Sequence, residues 1–179
     1  MAINATEKPL SRVFMSDYRF AIPSFQRAYT WQTENILQLV SDLQDAGSSA
    51  GTPYFLGSLI LVRDGESKYQ VIDGQQRLIS LSIIIAVLRE LETDPVLLQE
   101  LDELIREPGN KLRGITAAPR LRLRDRDAAF FRAYVPAGAL EGLFDLRDRD
   151  LDTRAQHTIA FTARSVFEEH AKPEEGEGH

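Results

Sequence analysis

Apolar residues in the first quarter of the chain predict a short helix, a short strand and one amphipathic helix. Residues 10–15 are typical of a brief helix. Residues 18–22 are typical of a strand that ends before Pro23, because proline has no amide for a sheet ladder. The apolar positions between Thr33 and Gly47 recur at the spacing of one helical face. We expect Thr33 to cap this helix and Gly47 to end it.

A hairpin and a buried helix are predicted next. Residues 54–62 and 68–72 are rich in β-branched and aromatic residues and flank an Asp-Gly turn at 64–65, which is typical of two paired strands. The chain turns again at 73–74 and enters a run over 76–91 that is apolar on nearly every side. The length of this run favours a mostly buried helix over a strand.

The second half of the chain has the pattern of successive helices. Asp94, followed by a proline, predicts a capped helix over 95–106. A short strand is expected at 121–123, and helices over 125–134 and 153–170. Either Asp125 or Asp127 is expected to cap the first of these two helices.

These elements predict an α+β fold class and a chain with three parts. We expect residues 1–92 to form a small mixed sheet with flanking helices, residues 93–172 to form a helical extension, and residues 173–179 to form a disordered acidic tail. The composition, 43% hydrophobic and 27% charged over 179 residues, is that of an ordinary globular protein. The absence of cysteine excludes disulfides and thiolate metal sites.

Apolar runs and charge narrow the function classes. The longest apolar run, residues 78–88, is too short to span a bilayer. The amino terminus lacks the apolar stretch of a secretory signal, so a cytoplasmic location is expected. The formal charge of −6 includes −4 from residues 168–179, which leaves a nearly neutral body. Seventeen arginines face four lysines; this bias suits phosphate contacts, but genome composition also produces it. Any phosphate recognition must therefore be local.

The segment VIDGQQRL, residues 71–78, carries the most chemical information. A strand ends, Gly74 permits a tight turn, and a helix begins whose free amides and dipole favour an anion. Arg77 can reach back toward the same anion, and two glutamines add neutral donors. Asp73 could cap the helix or hold a metal ion that accompanies a triphosphate. The plain alternative is a strand-to-helix turn with an aspartate cap.

The segment IPSFQRAYTW, residues 22–31, is the second candidate. It packs three aromatic residues, a glutamine and an arginine into a loop opened by proline. Its aromatic rings can stack on bases, and Arg27 can pair with phosphate. In the alternative interpretation, Phe25 and Trp31 fill the core while Gln26 and Arg27 bind loop carbonyls.

Three motifs in order, IPSFQRAYTW, YFLGSLIL and YQVIDGQQRLISL, resemble the N-terminal domain of GmrSD-type modification-dependent restriction endonucleases over residues 10–92. The resemblance implies a ParB/sulfiredoxin-like fold that binds an NTP with Mg²⁺ and hydrolyses it in response to DNA, as a sensor in phage defence. This chain departs from the family pattern at Ile79-Ser80, where two threonines are usual.

The resemblance also implies roles for eight residues in one cleft. Those implied to be catalytic are Asp73, Gln76 and Arg77. Those implied to bind the nucleotide are Gly74, Gln75, Gln26, Arg27 and Tyr29. Glu34 is a further candidate, beside Asp73, for binding the ion or positioning water. No separate protein metal site is expected, because the few histidines, His157 among them, have no evident second ligand.

The expected partners include a nuclease, because the sequence lacks the residues of a nuclease metal site. Family nucleases lie in a separate HNH domain with a histidine-centred metal site, so DNA cleavage by this chain is not expected. The expected partners are modified DNA, an HNH-type nuclease domain or subunit, and a second copy of the chain in a homodimer.

One alternative function is a DNA-binding module without nucleotide chemistry, using Arg27, Tyr29 and the arginines of 120–126. Another is an interaction subunit for a nuclease. The arginines of 120–126 also fit an exposed strand edge with local ion pairs.

Overall fold

The structure is a computed structural model that describes residues 2–171, and it confirms the α+β class. The elements in chain order are α1 (Leu10–Val13), β1 (Arg19–Ala21), α2 (Thr33–Ser48), β2 (Ile60–Arg63), β3 (Lys68–Asp73), α3 (Gln75–Leu91), α4 (Pro95–Ile105), β4 (Arg106–Glu107), β5 (Ala118–Pro119), β6 (Leu121–Arg122), α5 (Asp125–Tyr134), α6 (Leu140–Phe144) and α7 (Arg154–Ala171). None of the described helices has the length and hydropathy needed to cross a bilayer.

The main sheet is mixed and has the strand order β2-β3-β1-β6. β1 lies parallel to both β3 and β6, whereas β2 pairs with β3 in antiparallel register, as the predicted hairpin requires. The first hairpin strand is shorter than predicted, because residues 54–59 are irregular and only Ile60–Arg63 joins the ladder. Gly57 at φ +128° interrupts the extended backbone. The 54–59 segment packs instead against the start of α3.

Helix α3 is the centre of the hydrophobic core, as its sequence predicts. Thirteen of its residues are buried, and it packs against α4 and α7. Every residue from Leu78 to Val87 is buried, so this part of the helix has almost no solvent-facing side. A helix covered from several directions is a rigid base for the turn that precedes it.

Three predicted helix caps are wrong, and one is confirmed. Gln32, not Thr33, caps α2, because its side chain and that of Asn35 form a reciprocal capping box. Asp73 belongs to β3, and Gly74 caps α3. Neither Asp125 nor Asp127 caps α5; Arg124 holds that position. Asp94 does cap α4, accepting hydrogen bonds from the Val96 and Leu97 amides.

The second half of the chain contributes to the same sheet and core as the first. β6 adds the fourth strand, and one cluster of buried residues runs from Phe14 to Val166. The two-residue pair β4–β5 and the short helix α6 were not predicted, since elements this short leave no periodicity. The division at residue 92 stays a prediction, and the predicted tail, residues 173–179, lies outside the described residues.

Candidate anion-binding site

The candidate site lies where three parallel strands end at one edge of the sheet. β1 is the central strand of this group, with β3 on one side and β6 on the other. Because β1 has one neighbour on each side, the loops that follow these strands diverge and leave a crevice between them. Open sheets usually bind ligands in such a crevice. Here the loop over residues 22–31, the turn into α3 and the turn into α5 meet at that crevice.

The start of α3 has the geometry of an anion site. Gly74 caps the helix at φ +90° and makes no side-chain capping bond to the first-turn amides. The helix has 17 residues, and its dipole favours negative charge at this end. Gly74 is needed for a different reason from the predicted one. A methyl group there would lie 2.8 Å from the Ser58 carbonyl oxygen and would collide with the Leu59 side chain, so the protein's own 54–59 segment makes the close approach.

Arg77 is half-buried between an aromatic ring and a glycine. Its guanidinium lies 5.8 Å over the ring of Trp31, and a methyl group at Gly57 would collide with its Nη1. Within residues 2–171, Arg77 has no salt bridge and no side-chain hydrogen bond. This distinguishes it from Arg89 and Arg120, which are the buried arginines among the described residues.

Those other arginines are neutralised by carboxylates. Arg89 pairs with Asp102 at 2.6 Å, and Arg120 pairs with Glu107 at 3.2 Å. Arg77 therefore differs from them in keeping a positive charge with no internal carboxylate partner, directly at the positive end of a helix.

Both glutamines of the motif are buried and hold the 22–31 loop. Gln76 Nε2 donates to the Ala28 carbonyl at 3.0 Å, and Gln76 Oε1 accepts from the Thr30 amide at 2.9 Å. Gln75 Nε2 donates to the Arg27 carbonyl at 3.2 Å. The amide donors predicted to face phosphate are thus bonded to loop carbonyls. Gln75 Oε1 is the one buried side-chain nitrogen or oxygen within residues 2–171 that has no hydrogen-bond partner.

The first part of the 22–31 loop faces outward. Gln26 Nε2 donates to the Ile72 carbonyl at 2.9 Å, which ties the loop to the end of β3. Arg27 is exposed, and within residues 2–171 it has no salt bridge. Phe25 is 77% exposed, so the interpretation that it fills the core is wrong. Hydrogen bonds of both sequence neighbours hold Phe25 in this position, because Gln26 donates to the Ile72 carbonyl and Ser24 donates to Asp125 at 3.2 Å.

Tyr29 lies beneath the loop, not on the surface of the cleft. Its side chain is 2% exposed, and its hydroxyl lies 2.7 Å from Ser80 Oγ. Burial raises the pKa of Tyr29 to about 12, so the hydroxyl stays protonated at neutral pH. The structure thus places Tyr29 where it supports the loop from inside.

Carboxylates near the site are few and exposed. Asp73 is exposed at the end of β3, next to the glycine cap. Glu34 lies in the first turn of α2. Asp42 on α2 raises the pKa of the Tyr54 hydroxyl by accepting its hydrogen bond. Among residues 2–171, no three histidine, aspartate or glutamate side chains are grouped as a metal site.

Three of the four arginines of 120–126 form ion pairs, and two of these pairs are local, as one of the two interpretations predicts. Arg122 pairs with Asp125 at 2.7 Å, and Arg124 pairs with the buried Asp127 at 2.5 Å. Because these charges are largely neutralised within the protein, the segment is not an open basic surface for a nucleic-acid backbone. Arg122 also lowers the pKa of the Asp125 carboxyl.

Two parts of the site were missed by sequence reasoning. One is the contact of Gly57 with the Arg77 guanidinium; its signal was a glycine inside an otherwise strand-like pattern, which often marks a close approach. The other is the turn into α5, where Arg124 Nη1 donates to the Gln26 carbonyl at 3.4 Å. No local pattern links residues so far apart along the chain.

Comparison with protein families assigns the chain. The family model described as "GmrSD restriction endonuclease, N-terminal domain" matches residues 10–172, which is most of the sequence. The match includes the helical extension as well as the three motifs. A search among curated proteins found no match. The chain belongs to the GmrSD N-terminal domain family.

Proposed function

We propose that this member of the GmrSD N-terminal domain family is an NTP-binding sensor domain of a restriction system that acts in phage defence. The observation that carries the proposal is the half-buried Arg77 guanidinium, which has no carboxylate partner. It lies at the start of α3, where no side chain caps the first-turn amides. Nucleotide phosphates are the ligand chemistry that both features favour together.

The energetics support an external anion. Removing a cation from water is costly unless an opposite charge or hydrogen bonds compensate it. In this protein the Trp31 ring supplies a cation–π contact, worth about 0.5–2 kcal/mol. A bound phosphate would supply the missing charge and accept hydrogen bonds from the guanidinium and the first-turn amides of α3.

The residues also fit a triphosphate that arrives with Mg²⁺. Such an ion neutralises phosphate charge and usually takes only one or two carboxylates from the protein. Asp73, exposed beside Gly74, is the carboxylate in position to serve, so a cluster of three is not required. Gln75 and Gln76 would act indirectly, by holding the 22–31 loop against the site.

We extend the proposal to hydrolysis and to partners as follows. Arg77 would stabilise charge that develops on the phosphates during phosphoryl transfer. DNA and a nuclease would be the sensed ligand and the effector, as the family description suggests. The more specific partners proposed are modified DNA and an HNH-type nuclease. Arg27 and Phe25 are the exposed loop residues available to contact nucleic acid.

Calorimetric titration with each of the four NTPs in the presence of Mg²⁺ tests the proposal. We expect saturable binding of at least one NTP, and Arg77→Ala should weaken it roughly tenfold or more, since bonds to charged groups contribute about 1.5–3 kcal/mol. Arg63→Ala is the matched control. Arg63 also covers an aromatic ring, at 5.7 Å from Tyr69, but lies on β2. Absence of heat with every NTP, or equal losses in both variants, would refute the proposal.

A further inference from the structure

A buried row of hydrogen-bonded side chains connects the 22–31 loop to α3 beneath the candidate site. Tyr29 is 2% exposed, and its Oη lies 2.7 Å from Ser80 Oγ. Ser80 Oγ in turn donates to the Gln76 carbonyl at 2.7 Å. Two elements distant in sequence, the 22–31 loop and α3, therefore meet through side-chain oxygens inside the core.

The direction of these hydrogen bonds follows from counting protons. A serine hydroxyl has one proton, and that of Ser80 is donated to Gln76. The Tyr29 hydroxyl must then donate to Ser80. The order is Tyr29 to Ser80 to Gln76, with each hydroxyl donating once.

The same glutamine holds both sequence neighbours of Tyr29. Gln76 Nε2 donates to the Ala28 carbonyl, and Gln76 Oε1 accepts from the Thr30 amide. A shift of the Tyr29 ring would thus disturb both bonds at once. The next residue along the chain, Trp31, carries the ring over which the Arg77 guanidinium lies.

We propose that Tyr29 and Ser80 are positioning residues that fix the 22–31 loop on the start of α3. In this arrangement a change at Ser80, inside the core, reaches Trp31 and Arg77 through one tyrosine. The effect on nucleotide affinity rests on the proposed function; the effect on the loop does not.

Hydrogen exchange of the Thr30 amide tests the loop directly, because this amide donates to Gln76. Tyr29→Phe and Ser80→Ala each remove one hydroxyl and keep most of the packing. We expect each to speed Thr30 exchange about tenfold and to weaken NTP binding about fivefold. Ser82→Ala is the matched control: Ser82 is buried on the same helix and donates to the Leu78 carbonyl four residues back, as Ser80 does to Gln76, but it does not contact Tyr29.

The outcomes separate the inference from the proposed function. Faster Thr30 exchange in both variants, with Ser82→Ala like the wild type, supports the positioning role even if the wild type binds no NTP, in which case the proposed function fails alone. Unchanged Thr30 exchange in Tyr29→Phe and Ser80→Ala would overturn the inference. So would an equal acceleration in Ser82→Ala, since the effect would then be general destabilisation.

Discussion

Arg77 and Gly57 together show how a single contact defines the candidate site. The guanidinium occupies the space that a side chain at Gly57 would fill, and it covers Trp31 on its other side. The sequence allowed Arg77 to be predicted as an anion ligand, because its place in the first turn of a helix is a local property. It did not allow the contact with Gly57 to be predicted, because the 54–59 segment was expected to be a strand.

Gly57→Ala should displace the Arg77 guanidinium and weaken NTP binding severalfold. Gly65→Ala is the control, because Gly65 has nearly the same φ, +125° against +128°, but a methyl group there would meet only Lys68 at an ordinary 3.6 Å. Both changes should cost about 1–3 kcal/mol of folding free energy through backbone strain. Binding titrations on both proteins separate strain from displacement: equal affinities would contradict the assigned contact.

Tyr29 should make stability depend on alkaline pH. Its pKa rises from 10.0 to about 12 on folding, so between these values the folded protein holds a proton that the unfolded chain has released. The stabilisation is complete below pH 10 and is lost as the pH rises through 12. The difference in unfolding free energy between wild type and Tyr29→Phe should shrink by about 1.4 kcal/mol between pH 9 and pH 11. Urea titrations at both pH values would contradict the assignment if the difference stayed constant.

At the scale of elements, long periodic segments were predictable and short or tertiary-dependent ones were not. α3 followed from its apolar length, and α4 followed from Asp94 and the proline after it. The strand predicted over 54–62 is wrong in its first part, because packing on α3 overrides local β-propensity there. The cap of α2 moved to Gln32 because a capping box with Asn35 satisfies the helix start better than a threonine alone.

Asp94→Ala should lower the free energy of unfolding by about 1 kcal/mol, because its carboxylate accepts two amide hydrogen bonds at the start of α4. Asp94→Asn, which keeps a capping oxygen, should cost much less. Chemical denaturation of the three proteins measures both values. NTP affinity should stay unchanged in both variants, since α4 follows the C-terminal end of α3, whereas the candidate site lies at its N-terminal end. A loss of affinity in Asp94→Ala alone would show that the cap also supports the site.

At the scale of the whole molecule, the two halves of the chain share one sheet and one core. β6 completes the sheet, and α7 packs against α3. This agrees with a family match that extends over residues 10–172 and not only over the three motifs. The roles of the site residues stay predictions, and the sequence did not indicate these connections, because contacts between distant segments leave no spacing to detect. The ParB-like character of the sheet and the nucleotide chemistry stay predictions.

The central claim is that the start of α3 and Arg77 bind nucleotide phosphates, and Trp31 is placed to report it. Trp31 is the only tryptophan of the chain, and the Arg77 guanidinium lies over its ring. Titration of the wild type with NTP and Mg²⁺ should change tryptophan fluorescence along a saturable curve, and Arg77→Ala should move the midpoint of that curve to a concentration roughly tenfold or more higher. A wild-type signal that stays flat to millimolar concentrations of every NTP would contradict the claim.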